Sequence, residues 1–185
     1  AARLWWILKI YGHKKISLLN GGLSQYRQLG GALVTEVTES NPGNFTFVGK
    51  GVGLEAKRQL VASVLNREGW TIIDARSIEE YLGQVYSKNC KKKGRIPGSM
   101  PIDWSYGVDY HGNQKFKAVG ELSKMFAAKG ITSDKNVITY CRSGVRSAHT
   151  TFVLTELLGY PNVYNYDGSW LEWSGIDALP VELKK

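Results

Sequence analysis

In the stretch VITYCRSGVRSAHTTFVL, residues 137–154, a cysteine closes an apolar run. Arg142, Ser143, Gly144, Val145, Arg146 and Ser147 follow it at once. A thiol attacks as its thiolate, and both cationic neighbours and a helix N-terminus favour that form. The residues beyond Ser147 have the pattern of a helix, so the loop sets Cys141 among backbone N–H groups that lack helical partners. Gly144 permits the tight path needed to wrap the chain around a sulfur atom. The chemistry expected is a nucleophilic sulfur ringed by donors, acting on an anion that carries an electrophilic atom. A plain packing role for Cys141, as a small hydrophobe at a strand end, would leave the glycine and the two arginines without a reason.

Spacing narrows the choice. Cys141 and Arg146 enclose four residues, C-x4-R. Cysteine phosphatases use C-x5-R, a longer loop that accommodates a tetrahedral phosphate. The tighter ring suits a persulfide sulfur better. A phosphatase or arsenate reductase on a related fold is therefore the weaker reading. A binding module that had kept only the fold would be expected to lack the nucleophile.

The remaining reactive residues carry less. His149 falls inside the expected helix, His13 and His111 sit in turns, and no paired His and Cys ligands suggest zinc. Cys90, in SKNCKKKGR, reads as a surface cysteine or a secondary sulfur acceptor, and Lys91, Lys92 and Lys93 as a solvated run or an attractor of anions. Asp74 and Arg76 read as a structural ion pair, and Trp170 and Trp173 as core plugs.

The elements that must position Cys141 are legible in the apolar pattern. Strands are expected at 71–75 (TIIDA), 137–141 (VITYC) and 162–168 (NVYNYDG). Helices are expected at 54–66, 116–129 and 145–158, with a brief one at SIEEYLG whose N-cap is Ser77 and whose capping-box partner is Glu80. Residues 83–115 read as mostly irregular. Short apolar strands alternating with helices imply an α/β fold, a central parallel sheet covered on both faces. In such sheets reactive groups gather at the carboxyl ends of the strands, where Cys141 lies.

An internal echo appears at an offset of 147 residues: Gly12 falls on Gly159, Ile16 on Val163, Asn20 on Asp167 and Gly21 on Gly168. The order helix (1–12), strand (KISLLN), turn and aromatic recurs. Residues 1–33 are accordingly expected to be the C-terminal remnant of a first, non-catalytic domain, 34–53 an interdomain linker, and 54–185 the catalytic domain. The chain opens without Met, which fits a processed or partial sequence.

Composition sets outer limits. The 185 residues are 43% hydrophobic, enough for a core, and 22% charged, with a net charge of +8. That excess suits small oxyanions; nucleic acid is set aside because the basic residues are dispersed and form no recognisable binding motif. LWWILKIYG is too short to cross a bilayer and contains Lys9, so no membrane partner is expected. Two cysteines are too few for a disulfide framework, which leans toward a reducing compartment, the cytoplasm, with the periplasm left open.

Four stretches, in order, resemble the rhodanese family of sulfurtransferases. YCRSGVRSAHTTFVLTELLGY is similar to its active-site loop and helix, and NYDGSWLEWS to its C-terminal signature. IIDARSIEEYLG and GRIPGSMPIDW resemble its N-terminal signatures, and ARLWWILKIYGHKKISLLNGGL the end of the first domain in tandem members. The resemblance implies a ping-pong reaction: the Cys141 thiolate takes the outer sulfur of thiosulfate as a persulfide and passes it to cyanide or a thiol. It implies that the amides of Arg142 to Ser147 hold the persulfide, that Arg142 and Arg146 help bind the donor, and that no metal or organic cofactor is needed. It also implies a first rhodanese domain in cis. Members preferring 3-mercaptopyruvate show C-G-S/A-G-V-T in this loop, so the charged loop here favours thiosulfate. Two departures stand out: Glu80 occupies a position that is Arg in animal thiosulfate enzymes, and Arg95 stands where members often carry His.

Overall fold

The structure, a computed structural model, describes residues 1–37, 39–46 and 53–183. Five strands, β1 (Glu55–Ala56), β2 (Trp70–Asp74), β3 (Met100–Pro101), β4 (Asn136–Tyr140) and β5 (Val163–Tyr166), form one sheet in the order β1-β5-β4-β2-β3. Every pairing is parallel. The helices are α1 (Ala2–Ile10), α2 (Gly22–Gln28), α3 (Arg58–Ser63), α4 (Ile78–Tyr81), α5 (Val119–Ala127), α6 (Val145–Phe152) and α7 (Ser169–Gly175). The expected α/β architecture, a parallel sheet flanked by helices, is the one found.

Strand alternation divides the core in two. Ile72, Ile138 and Tyr140 face a cluster with Val61 of α3 and with Trp170 and Trp173 of α7. Ile73, Val137 and Val163 face the other side, against Leu122 and Phe126 of α5 and against Val153 and Leu154 beyond α6. Burial on both faces explains why the strands are short apolar runs without polar alternation.

Register brings the chemistry to one edge. Asp74 pairs with Tyr140 across β2 and β4, so these two strands end level. The Ala75 amide still donates to the Tyr140 carbonyl at 2.8 Å, and Cys141 emerges one residue further on. Beneath it lies a buried polar network. Arg76 forms a bidentate pair with Asp74 and donates to the Gly94 carbonyl at 2.8 Å. The Tyr140 hydroxyl donates to Asp74 at 2.6 Å and accepts from the Ile96 amide at 3.2 Å. Burial opposes the Arg76 charge, but Asp74 overrides it and holds the guanidinium above its ordinary range. Burial, joined by the Asp74 charge, pushes the Tyr140 phenol well above its own. The structural role expected for Asp74 and Arg76 is thus the observed one.

Several expected boundaries shift. Leu54–Ala56 is not helical: Glu55 and Ala56 pair with Asn165 and Tyr166 as an edge strand, and the helix starts only at Arg58. The helix after Cys141 holds α-geometry to Phe152 and then widens into a π-turn, Val153–Leu157, in which the Leu158 amide reaches the Val153 carbonyl at 3.0 Å. KISLLN forms no strand; its residues are exposed or half-buried, and Ile16 and Leu18 pack on the cluster of Trp5 and Phe152 instead. Residues 31–37 and 39–46, within or beside the expected linker, carry no helix or strand, while 38, 47–52 and 184–185 lie outside the described residues.

The N-terminal helix is packed. Trp5 and Trp6 of α1 are buried against Ala148 and Phe152 of α6. Trp5 meets Phe152 edge-on at 5.0 Å, Trp6 donates its indole N–H to the Leu54 carbonyl at 2.8 Å, and Lys9 pairs with Glu156 at 3.2 Å.

Candidate active site

Cys141 directly follows the last residue of β4 and is buried. Its carbonyl accepts from the Trp170 amide at 3.0 Å, and the Arg142 carbonyl accepts from Leu171 at 2.9 Å, so the first turn of α7 holds the loop from below. The Ser147 hydroxyl, in the first turn of α6, donates to the Cys141 sulfur at 3.6 Å. Ser147 is itself fixed. Its carbonyl accepts from the hydroxyls of Thr139 and Thr151 at 3.2 and 3.0 Å, joining β4 to the helix.

Gly144 sits at the pivot. Its φ of 78° is the left-handed region, and an added Cβ would lie 2.2 Å from the Asp167 carboxylate and 2.9 Å from the Asp167 carbonyl. Only glycine fits. From there α6 begins with no side-chain cap. The amides of Val145, Arg146 and Ser147 therefore occupy the first turn, where helical geometry supplies no acceptor. The Ser143 carbonyl accepts from Arg3 at 2.9 Å, and Arg3 also binds the Asp167 carboxylate at 2.8 Å.

All seven residues expected of the site, Cys141 through Ser147, are brought together on this one loop and helix start. Their partners refine the picture. The Gly144 amide, expected to help hold the sulfur, instead donates to the Ser169 hydroxyl at 3.0 Å, and the Cys141 amide does the same at 3.1 Å. The Ser169 hydroxyl itself donates to the Tyr166 carbonyl at 2.7 Å, and the residue adopts a φ of 53°, unusual for one with a side chain. Arg142 donates to the Ser87 hydroxyl at 2.8 Å. Arg146, expected to help bind the donor, forms a two-pronged pair with Glu80 at 2.6 and 2.9 Å. Burial alone would raise the Glu80 carboxyl, yet the Arg146 guanidinium overrides this and holds it below the ordinary range.

Sequence reasoning missed Ser169 and the partnership of Glu80 with Arg146. The signal for Ser169 was a small hydroxyl residue directly after the β5 turn, in NYDGSW; that its oxygen reaches Cys141 depends on how β4 and β5 lie together.

The expectations for Cys90 and Lys92 are corrected here. Cys90 is neither a surface cysteine nor accessible as a second thiol, because it is buried with Trp170 and Trp173. Lys92 is not solvated: its ammonium group donates to the carbonyls of Ile176, Asp177 and Leu179 at 2.7, 3.0 and 3.1 Å. Lys93 stands over the Tyr86 ring at 5.0 Å. Arg95 pairs with Glu182 and stacks on Tyr81 at 4.3 Å, a structural duty. His149 is wedged between Phe116 and Trp104, and burial lowers its pKa to about 4. Among the described residues no group of His, Cys, Asp and Glu could hold a metal ion, and no helix is long and apolar enough to cross a membrane.

Comparison with known proteins adds independent information. Residues 57–176 match the rhodanese-like domain family. A sulfur carrier protein, TtuD, of Thermus thermophilus is 37% identical over 190 residues, covering 98% of this chain and 66% of its own length. A Mycobacterium bovis protein, provisionally named thiosulfate sulfurtransferase 1, is 36% identical over 189 residues, covering 99% of this chain and 67% of its own. The chain thus spans about two thirds of these relatives. An EanB variant, solved with ergothioneine covalently linked with a persulfide cysteine, superposes with a TM-score of 0.90 at 26% identity, over 100% of this chain and 45% of that one. The anaerobic ergothioneine biosynthesis enzyme of Chlorobium limicola, solved with trimethyl histidine, gives a TM-score of 0.86 at 25% identity, over 100% of this chain and 45% of that one.

Proposed function

We propose, from the premise that this chain belongs to the rhodanese-like family, that it is a sulfurtransferase working through a persulfide on Cys141. The Cys141 thiolate attacks the outer sulfur of thiosulfate; the sulfur–sulfur bond of the donor breaks and its electron pair leaves with sulfite. The new persulfide then gives its terminal sulfur to a thiophilic acceptor, cyanide or a thiol, which restores the thiolate. No electrons are gained or lost overall, so the cycle needs no redox partner.

One observation carries this reading: the Cys141 sulfur accepts the Ser147 hydroxyl at the mouth of α6, whose first-turn amides have no helical acceptor. Preorganised dipoles of this kind stabilise negative charge on sulfur before and after transfer. The names of the relatives, a sulfur carrier and a thiosulfate sulfurtransferase, and the persulfide in the EanB structure support the same chemistry.

Residues 1–33 are read, within this proposal, as the remnant of a first rhodanese-like domain, 34–53 as a linker and 54–185 as the catalytic domain. The docking of α1 on α6, the helix it echoes in sequence, supports that division.

The test is intact-mass spectrometry after brief exposure to thiosulfate, beside Cys141→Ser. The expected result is a gain of one sulfur atom in the parent, removed by cyanide and absent from the variant. An equal gain in both proteins would sink the assignment.

A further inference from the structure

The loop after Cys141 carries two guanidinium groups, and they are differently engaged. Arg142 meets a neutral hydroxyl, that of Ser87. Arg146 meets a carboxylate through two hydrogen bonds, the geometry in which a guanidinium also grips an oxyanion. Glu80 cannot easily swing away. It belongs to the first turn of α4, where its amide donates to the Ser77 hydroxyl and its carboxylate accepts the Ser77 amide, each at 3.3 Å. Both partners are half-buried, with 28% and 18% of their side chains exposed, so water screens the pair only in part. Two more distant charges act weakly and oppositely. Asp103 adds to the hold on Arg146, and Arg76, which also faces Glu80, is already committed to Asp74.

Two arginines less one carboxylate leave a single net positive charge on the loop, and the Cys141 thiolate offsets it. A singly charged donor meets the Glu80 repulsion once. A doubly charged one meets it twice, unless it displaces Glu80 from Arg146.

We infer that Glu80 is a specificity-determining residue: by engaging Arg146 it weakens the binding of dianions, thiosulfate included, more than that of sulfur donors with one negative charge, so that thiosulfate is accepted but not selected. This rests on the reading of Cys141 as the sulfur-accepting nucleophile. Both classes of donor react alike at the sulfur: the thiolate takes the outer atom, and the electron pair of the broken bond departs on sulfite or on a sulfinate.

The experiment compares thiosulfate, with two charges, and benzenethiosulfonate, with one, in single-turnover loading of Cys141. The parent and Glu80→Gln are measured side by side. Glutamine keeps the size of the side chain and, with its oxygen at the Oε2 position, an acceptor for both the Ser77 amide and Arg146 Nη1; it removes the charge and the second bond to Arg146. The expected result is a roughly tenfold rise in kcat/KM for thiosulfate, mostly in KM, with about a threefold rise for benzenethiosulfonate, which carries half the charge. Equal changes for both donors, or no rise for thiosulfate, would overturn the inference while leaving persulfide formation intact. Failure of both donors to load the parent would instead overturn the Cys141 reading and this inference with it. A second measurement needs no variant: methanesulfonate should protect unmodified Cys141 from loading at least as well as sulfate does. Protection by sulfate at about a tenth of the methanesulfonate concentration would count against Glu80.

Discussion

The hydroxyl of Ser169 accepts the backbone amide of Cys141 at 3.1 Å, across 28 residues of sequence, and a second amide, that of Gly144, at 3.0 Å. One oxygen thereby closes the base of the loop and fixes the path of the backbone around the sulfur. It does so from a backbone conformation, φ of 53°, that a residue with a side chain adopts at a cost.

Removing that oxygen should separate stability from chemistry. Ser169→Gly and Ser169→Ala both leave two buried amides without an acceptor, and sulfur loading of Cys141 is expected to slow by roughly tenfold or more in each. Glycine relieves the φ strain and alanine does not, so the glycine variant should be the more stable by about 1 kcal/mol. Stopped-flow loading and urea unfolding check the two halves. Equal loading in the parent and both variants would remove Ser169 from any role in the site.

The buried pair under the loop should be costly to break from one side. Asp74→Ala strands the Arg76 guanidinium and is expected to destabilise by about 3–5 kcal/mol. Tyr140→Phe, which removes only the hydroxyl bonded to Asp74, Ser99 and Ile96, should cost about 1–2 kcal/mol. Urea midpoints measured on both variants test the ranking.

Acid should reveal His149. Burial lowers its pKa to about 4, below its ordinary value of 6.5, so the unfolded chain binds a proton that the folded one refuses. The unfolded state then holds more protons between these values, and stability must fall as pH drops from 6.5 toward 4. The loss attributable to this group is about 3 kcal/mol at its limit. His149→Phe keeps the stacking on Phe116 and the edge contact with Trp104 but does not titrate. Its unfolding free energy should fall less steeply over the same range, and an unchanged slope would show that His149 opens to water.

The N-terminal helix is expected to unfold with the sheet. Trp5 is fully buried on α6, and Trp5→Ala should cost about 3–5 kcal/mol. Far-ultraviolet circular dichroism and tryptophan fluorescence should report one coincident transition. Two separated transitions would make α1 an appendage.

Much was legible from local pattern alone. The apolar runs that became β2, β4 and β5 identify themselves because each is buried on both faces. Ser77 and Glu80 announce the start of α4 because a capping box is a matter of neighbouring residues, and the structure forms it. Cys141 with Gly144 declares the loop because a left-handed turn ahead of a helix restricts which residues can stand there. Where the pattern misled, the cause lay outside the segment. Glu55 and Ala56 suit a helix by composition, yet β5 offered an open edge. Ile16 and Leu18 suit a strand, yet they pack on Trp5 and Phe152 of two helices.

The sequence by itself determined the parallel α/β sheet, the place of Cys141 at its carboxyl edge and the family resemblance, since periodicity, spacing and turn chemistry are properties of contiguous residues. Only the tertiary structure decided that Glu80 occupies Arg146, that Ser169 holds two amides of the loop, and that Cys90 is sealed beneath tryptophans. Each of those depends on residues far apart in the chain meeting at a strand edge, and no local pattern encodes such a meeting.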